Sequence, residues 1–263
     1  MTNRTSLLSK IWLALSVVCA IFYSAFRTHM LHNTYDAQNG FYTDSELLSV
    51  FGYSLAALVV IFAVTAYIYI KEGNFQNPSK KSLFLKGASY LSAIVLCGFI
   101  IYAFAKAVIP SFEITGGDLA IAGLSAVAML YFLTFDKKND FCAILCIASS
   151  LVTLGIVLIL YFDRSVSFVN HSVMLCFAAC IFSALAFAAE ANFALGRPAM
   201  KRYIAYAPAA IALSFTLAVP DIIFFAQNRV AIISDIYFDI IILAFGIYHI
   251  AHLADIAFNK EEK

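Results

Sequence analysis

From Phe141 to Phe162 the chain reads FCAILCIASSLVTLGIVLILYF, 22 consecutive residues with no charge, no proline and no regular polar alternation. At about 1.5 Å of rise per residue such a segment, as a helix, is about 33 Å long. That is enough to cross the ~30 Å hydrocarbon layer of a bilayer. In lipid every backbone amide must find its partner inside the segment, and an uninterrupted run of this length does not carry the two-residue period of a barrel strand. It therefore reads as a membrane-spanning helix.

Working outward in both directions, similar runs cover Ile11 to Phe26, Leu47 to Ile70, Gly87 to Ala105, Leu119 to Phe135, Phe168 to Ala194, Tyr203 to Val219 and Ile232 to Phe258. The expectation is an all-α polytopic membrane bundle of about eight transmembrane helices, a single transmembrane domain over 1–263. Composition agrees: 63% hydrophobic residues, 13% charged residues and a mean hydropathy of +0.88 leave an apolar surface that only lipid can cover. Turn chemistry lies between the runs, at Gly73-Asn74, Asn77-Pro78-Ser79, Gly116-Gly117-Asp118 and Gly196-Arg197-Pro198. A formal charge of +1 and the lack of a basic stripe exclude nucleic acid as a partner.

Basic residues collect on the cytoplasmic side of a membrane. With both termini inside, 13 of the 17 lysines and arginines fall in inner segments, and only Arg27, Lys106, Arg164 and Arg229 fall outside. The predicted location is thus a cell membrane, multi-pass, with cytoplasmic N- and C-termini. A rival topology removes Met1 to Ala25 as a signal peptide and leaves seven helices.

The halves show parallel features. Glu72-Gly73-Asn74-Phe75 follows the second helix and Glu190-Ala191-Asn192-Phe193 ends the sixth; Phe135-Asp136-Lys137-Lys138 and Phe258-Asn259-Lys260-Glu261 close the fourth and eighth. These matches suggest a 4+4 parallel repeat with units 1–138 and 139–263, against convergent loop chemistry as the alternative. In that alignment the fourth helix has Ala126, Met129 and Phe132 where the eighth has His249, His252 and Asp255, which would place polar chemistry in one half.

Glu190, His249, His252 and Asp255 form the first candidate site, for a substrate, an ion or a proton. Ionisable groups inside a span are costly and usually face the bundle interior, and histidine titrates near neutral pH. The plainer account is snorkelling of Glu190 and Asp255, or pairing with Lys201, Arg202 or Lys260. His249 lies about 9 Å deeper than Asp255 along a helix, too deep for that explanation. An outer acidic cluster, Asp221, Asp235 and Asp239, needs counter-charges, with Arg27, Arg164 and Arg229 on the same side. Pro220 is expected to end or kink its helix and free carbonyls for an outer vestibule. Cys142/Cys146 and Cys176/Cys180 have i,i+4 spacing and could hold a metal only if the pairs met; as buried cysteines they read as small core hydrophobes.

After the first helix, Arg27 to Tyr42 reads as a loop in which Asp36 and Asn39-Gly40 favour a tight turn presenting Tyr35, Phe41 and Tyr42. The run Tyr35-Asp36-x-x-Asn39-Gly40-Phe41-Tyr42, with Glu190-x-x-x-x-Leu195-Gly196-Arg197-Pro198, resembles uncharacterised multi-pass membrane proteins of clostridial-type bacteria. There the loop usually reads Tyr/Phe-Asp-x-x-Thr-Gly-Phe, and Asn39 departs from it. The resemblance implies a bacterial cytoplasmic membrane and no particular activity.

No phosphate loop, His-Glu-x-x-His or Gly-x-Ser-x-Gly occurs, so no catalytic residue and no cofactor is assigned, and intramembrane catalysis stays a formal alternative. The leading expectation is a transporter or permease-like bundle for a small solute or ion. The alternative is a non-enzymatic sensor or interaction subunit acting through partner membrane proteins, and a seven-helix receptor-like bundle comes third. Small residues such as Gly52, Ala56, Gly123 and Ala178 would serve internal packing, a protein partner or a homo-oligomer equally.

Overall fold

A computed structural model describes residues 3–36, 41–69, 82–109, 115–134, 140–162, 171–227 and 236–258. The described chain forms eight long helices: α1 (Asn3–Asn33), α2 (Ser45–Tyr69), α3 (Leu83–Val108), α4 (Gly116–Thr134), α5 (Asp140–Phe162), α6 (His171–Ala194), α7 (Met200–Ala226) and α8 (Ile236–Phe258). Each contains a segment long and apolar enough to cross a bilayer. The protein is an integral, multi-pass membrane protein. A small antiparallel ribbon, β1 (Tyr35–Asp36) and β2 (Phe41–Tyr42), joins α1 to α2, with Tyr35 opposite Tyr42.

Local chemistry explains several helix ends. Asp44 accepts from the Leu47 amide at the start of α2, and the Ser82 hydroxyl accepts from the Leu85 amide at the start of α3. Thr115 and Asp118 bond each other's amides in a reciprocal box at the start of α4. Gly196, at φ +69°, closes α6: its amide reaches the Phe193 carbonyl, and the Arg197 amide reaches Asn192. This stop fixes Glu190 one turn inside the end of α6.

The helices α3, α4, α5, α6, α7 and α8 pack in that order into a ring that α8 closes against α3, while α1 lies along α7 and α8 and α2 rests on α7. The two halves are packed differently. Successive helices of α5–α8 approach closely along the chain, whereas α1 and α2 meet through bulky rings, Trp12 with Phe62 and Tyr23 with Phe51. Between helices in lipid the hydrophobic effect contributes little, so close van der Waals packing and interhelical hydrogen bonds hold the bundle. Small buried residues permit the approach: Ala205, Ala207, Ala209, Ala210 and Ala212 line α7, and a Cβ on Gly246 would sit 2.9 Å from the Ser214 Cβ. Hydroxyls bridge neighbours, Ser89 to the Phe132 carbonyl (2.8 Å) and Ser150 to that of Ala184 (3.0 Å).

The ends of the bundle are marked by contacts. Lys10 near the start of α1 lies over the ring of Phe258 at the end of α8, and the Ser82 amide donates to Asp255, so both described termini share one end.

Two boundaries differ from the sequence reading. The first helix continues past Phe26 to Asn33, so Arg27, His29 and His32 are helical and not in a loop. The seventh continues through Pro208 and Pro220 to Ala226, so Pro220 does not end it. The two extended segments meet where Arg27 contacts the backbone before Pro220.

Candidate functional site

Proline has no amide hydrogen, so Pro220 leaves the carbonyl four residues earlier, that of Thr216, without its helical donor. Arg27 fills the gap. Its guanidinium donates to the carbonyls of Thr216 (3.1 Å) and Leu217 (2.5 Å), to the Ser172 hydroxyl (3.1 Å) and to Asp221 Oδ1 (2.7 Å). The pair is 2% exposed on both sides. The freed Thr216 carbonyl thus binds an arginine instead of lining a vestibule, and α1, α6 and α7 are tied together at the end remote from the termini.

Of the outer acidic cluster, Asp221 is therefore an arginine partner, as charge balance requires. Asp239 is buried at the start of α8 and belongs to the same electrostatic neighbourhood, interacting with Arg27. Asp235, Arg164 and Arg229 lie outside the described residues. Above the pair, Tyr35 packs against Tyr42 (5.2 Å between ring centroids) and Phe224 (5.9 Å). Burial, then the neighbouring Tyr42 phenol and Asp221, push the Tyr35 phenol above its ordinary value.

The second site lies toward the termini and is built from α4, α6 and α8. Glu190 is 6% exposed. Its Oε1 accepts from the hydroxyls of Tyr131 (2.6 Å) and Tyr248 (2.5 Å). His252 Nδ1 stands 3.4 Å from the same oxygen. Oε2 is buried and accepts from none of the described residues. No lysine or arginine among the described residues pairs with this carboxylate; Lys201 lies over the Tyr67 ring and Arg202 donates to the Pro198 carbonyl, while Lys260 lies outside the described residues.

His249 is fully buried one turn from His252, with Nε2 at 3.1 Å from Ser183 Oγ and Nδ1 at 3.4 Å from the Tyr203 hydroxyl. Its ring packs 4.6 Å from Phe187. The residue hardest to place from sequence is thus held on both nitrogens. Asp255, also buried, accepts the Ser82 amide at 2.9 Å and fastens the start of α3 to α8. So of the four predicted residues the structure brings Glu190 and His252 together, sets His249 beside them and turns Asp255 to a neighbouring backbone.

Away from the termini the site is closed by rings. Phe132, Phe187 and Phe245 pack edge-on or tilted against one another with centroids 5.0 to 6.0 Å apart, and Tyr248 packs edge-on to Phe132 at 5.0 Å. Glu190 can therefore hold a charge only by virtue of two phenols and an imidazole in a water-poor interior, an arrangement suited to taking up a cation or a proton.

Tyr131, Tyr248, Tyr203 and Ser183 were not among the predicted residues. Tyr248 carries a usable signal: it sits at the middle of α8, too deep for the interfacial belt where tyrosine is ordinarily found. Tyr131 also corrects the expectation that polar chemistry is confined to one half, since α4 supplies it from the position beside Phe132.

No family model, curated protein or solved structure matches this chain. Cys142, Cys146, Cys176 and Cys180 form no disulfide and are buried, Cys146 donates to the Phe187 carbonyl, and no group of three or more metal-ligating side chains forms among the described residues.

Proposed function

We propose that the protein is a transporter or permease-like bundle for a small solute or ion, with Glu190 as its working carboxylate and the end bearing both termini facing the cytoplasm of a bacterial cell membrane. The observation that carries this reading is a buried carboxylate with no lysine or arginine partner among the described residues: Glu190 lies among spanning helices with phenols and an imidazole around it and one oxygen unbonded by the described residues. Retaining an ionisable group at such a depth is costly unless it is used, and in spanning bundles such groups mark ion and substrate paths. The excess of basic residues in the segments on the termini side supports the orientation.

A second reading, a sensor or interaction subunit, is favoured by α2, of whose most apolar window only 22% is buried, leaving Val50, Tyr53, Val60 and Ile68 for a partner helix as well as for lipid. Flux assays on purified protein in liposomes separate the two. Proton, sodium, potassium and a panel of small organic solutes are offered to the parent and to Glu190→Gln. Transport expects flux of at least one by the parent and its loss in a folded Glu190→Gln. Flux that persists in Glu190→Gln removes Glu190 from the mechanism, and a parent that moves none of them favours the interaction subunit.

A further inference from the structure

We infer that the ion taken by the Glu190 site is a proton, held jointly by Glu190 and His252 and exchanged with the end of the bundle that carries the termini; this rests on the reading of Glu190 as the working group and names its occupant. Three observations lead there.

The first is space. Tyr131, Tyr203, Tyr248, His249 and His252 are at most 3% exposed, and the His252 ring lies 4.8 Å from Tyr203 and 6.0 Å from Tyr248. Hard metal cations ask for about six oxygen ligands, and the site offers one carboxylate whose better-placed oxygen already receives two O–H donors. A proton needs no further ligand and no added volume.

The second is the asymmetry of the carboxylate. Oε1 is surrounded by Tyr131, Tyr248 and His252, whereas Oε2 is buried and bonded by none of the described residues. A proton on Oε2 removes the buried charge and leaves Oε1 as a carbonyl oxygen still accepting both phenols. On His252 Nδ1 the same proton makes an imidazolium facing the carboxylate. Either way the pair with one proton is neutral overall. Releasing it to water leaves a carboxylate and a neutral imidazole, net −1, and taking one up restores neutrality. A net charge is tolerated poorly in a low-dielectric interior, so release requires contact with water.

The third is the surroundings. From α4 Tyr131 faces the carboxylate, from α5 Cys146 is spent on the Phe187 carbonyl, from α7 Tyr203 packs on His252 and its hydroxyl meets His249, and from α8 come Tyr248 and His249. Phenols and thiols ordinarily titrate well above neutrality, and His249 is engaged on both nitrogens. Glu190 and His252 remain as the exchanging pair. Phe132, Phe187 and Phe245 pack against one another beside the pair, and the exchange is assigned past His252 toward Asp255, the next carboxylate along α8 in the direction of the termini.

Infrared difference spectroscopy on the full chain in nanodiscs tests this directly, because the other glutamates (Glu46, Glu72, Glu113, Glu261 and Glu262) lie outside the apolar runs. With 13C-labelled glutamate, the parent should show an isotope-shifted carboxylic acid C=O band in a non-aqueous environment that vanishes as pH rises between about 4 and 10. The band should be missing in Glu190→Gln and have its midpoint displaced at least about tenfold in proton concentration in His252→Gln. The label identifies glutamate in the parent itself, so the result does not hang on a variant's folding. A glutamate that stays carboxylate throughout with no pH-dependent imidazolium band that His252→Gln removes, a glutamate acid band that survives in Glu190→Gln, or one removed by sodium or calcium at constant pH overturns the inference. A titrating band without any flux keeps the inference and removes the transport reading; flux lost in Glu190→Gln with no titrating band does the reverse.

Discussion

Two buried carboxylates, one near each end of the bundle, are handled in opposite ways. Asp221 is answered by a full positive charge: Arg27 reaches it from α1 and spends its remaining donors on Ser172, on the Thr216 carbonyl left open by Pro220 and on the neighbouring Leu217 carbonyl. Glu190 is answered by neutral groups, the phenols of Tyr131 and Tyr248, and by an imidazole that is charged only when protonated. The first arrangement is a permanent ion pair made through Asp221 Oδ1, while Oδ2 accepts from none of the described residues. The second keeps a carboxylate whose charge can change without breaking a permanent ion pair. A buried charge is thus read by what compensates it, more than by its depth.

The largest expected effect lies at the arginine-paired end. Arg27→Ala should destabilise the protein by about 3–5 kcal/mol, because it strands Asp221 and reopens the Thr216 carbonyl. Thermal unfolding in detergent checks this, and Arg27→Met combined with Asp221→Leu should recover much of the loss by removing both charges together. A small effect of Arg27→Ala would dissolve the contrast from its structural side.

At the other end, Tyr248→Phe takes away one of two donors to Glu190 and should cost about 1–3 kcal/mol, the range for a hydrogen bond to a charged group. The cost should shrink in a Glu190→Gln background, and a double-mutant cycle with that substitution measures the coupling. Equal cost in both backgrounds would mean that the phenol packs without serving the carboxylate.

The smallest effect concerns Tyr35 above the arginine pair. Its phenol is raised by burial, so the stability it contributes is fully present below about pH 10 and is lost as pH rises through the raised value. Tyr35→Phe should therefore flatten the alkaline fall of the unfolding midpoint and change nothing near neutrality. A fall of unaltered shape would assign it to other phenols.

The eight helices were legible because apolar run length and backbone satisfaction in lipid leave little choice. Helix limits set by side chains were not: Arg27 looks like an end of its helix until its partner Asp221, 194 residues away, is in place, and Pro220 looks like a stop until something binds the carbonyl it frees. In the candidate site, Glu190, His249, His252 and Asp255 stood out as ionisable residues in apolar surroundings, His249 most of all for its depth, yet it is His252 that stands beside the carboxylate. Tyr131, Tyr203 and Ser183 did not stand out, because hydroxyl side chains are common in spans and only the packing of α4, α6, α7 and α8 decides which of them meet a carboxylate. Asp255 was visible as a charge, but its duty to the Ser82 amide depends on where α3 begins.

The most direct test of the account neutralises each carboxylate with its own amide and compares the two proteins side by side. Asp221→Asn deprives the buried Arg27 of its paired carboxylate and should lose about 3 kcal/mol or more. Glu190→Gln keeps an oxygen for both phenols and should unfold within about 1 kcal/mol of the parent, while losing the parent's proton-dependent response. If Glu190→Gln unfolds as readily as Asp221→Asn, the carboxylate is structural at both ends and the working role assigned to Glu190 is wrong.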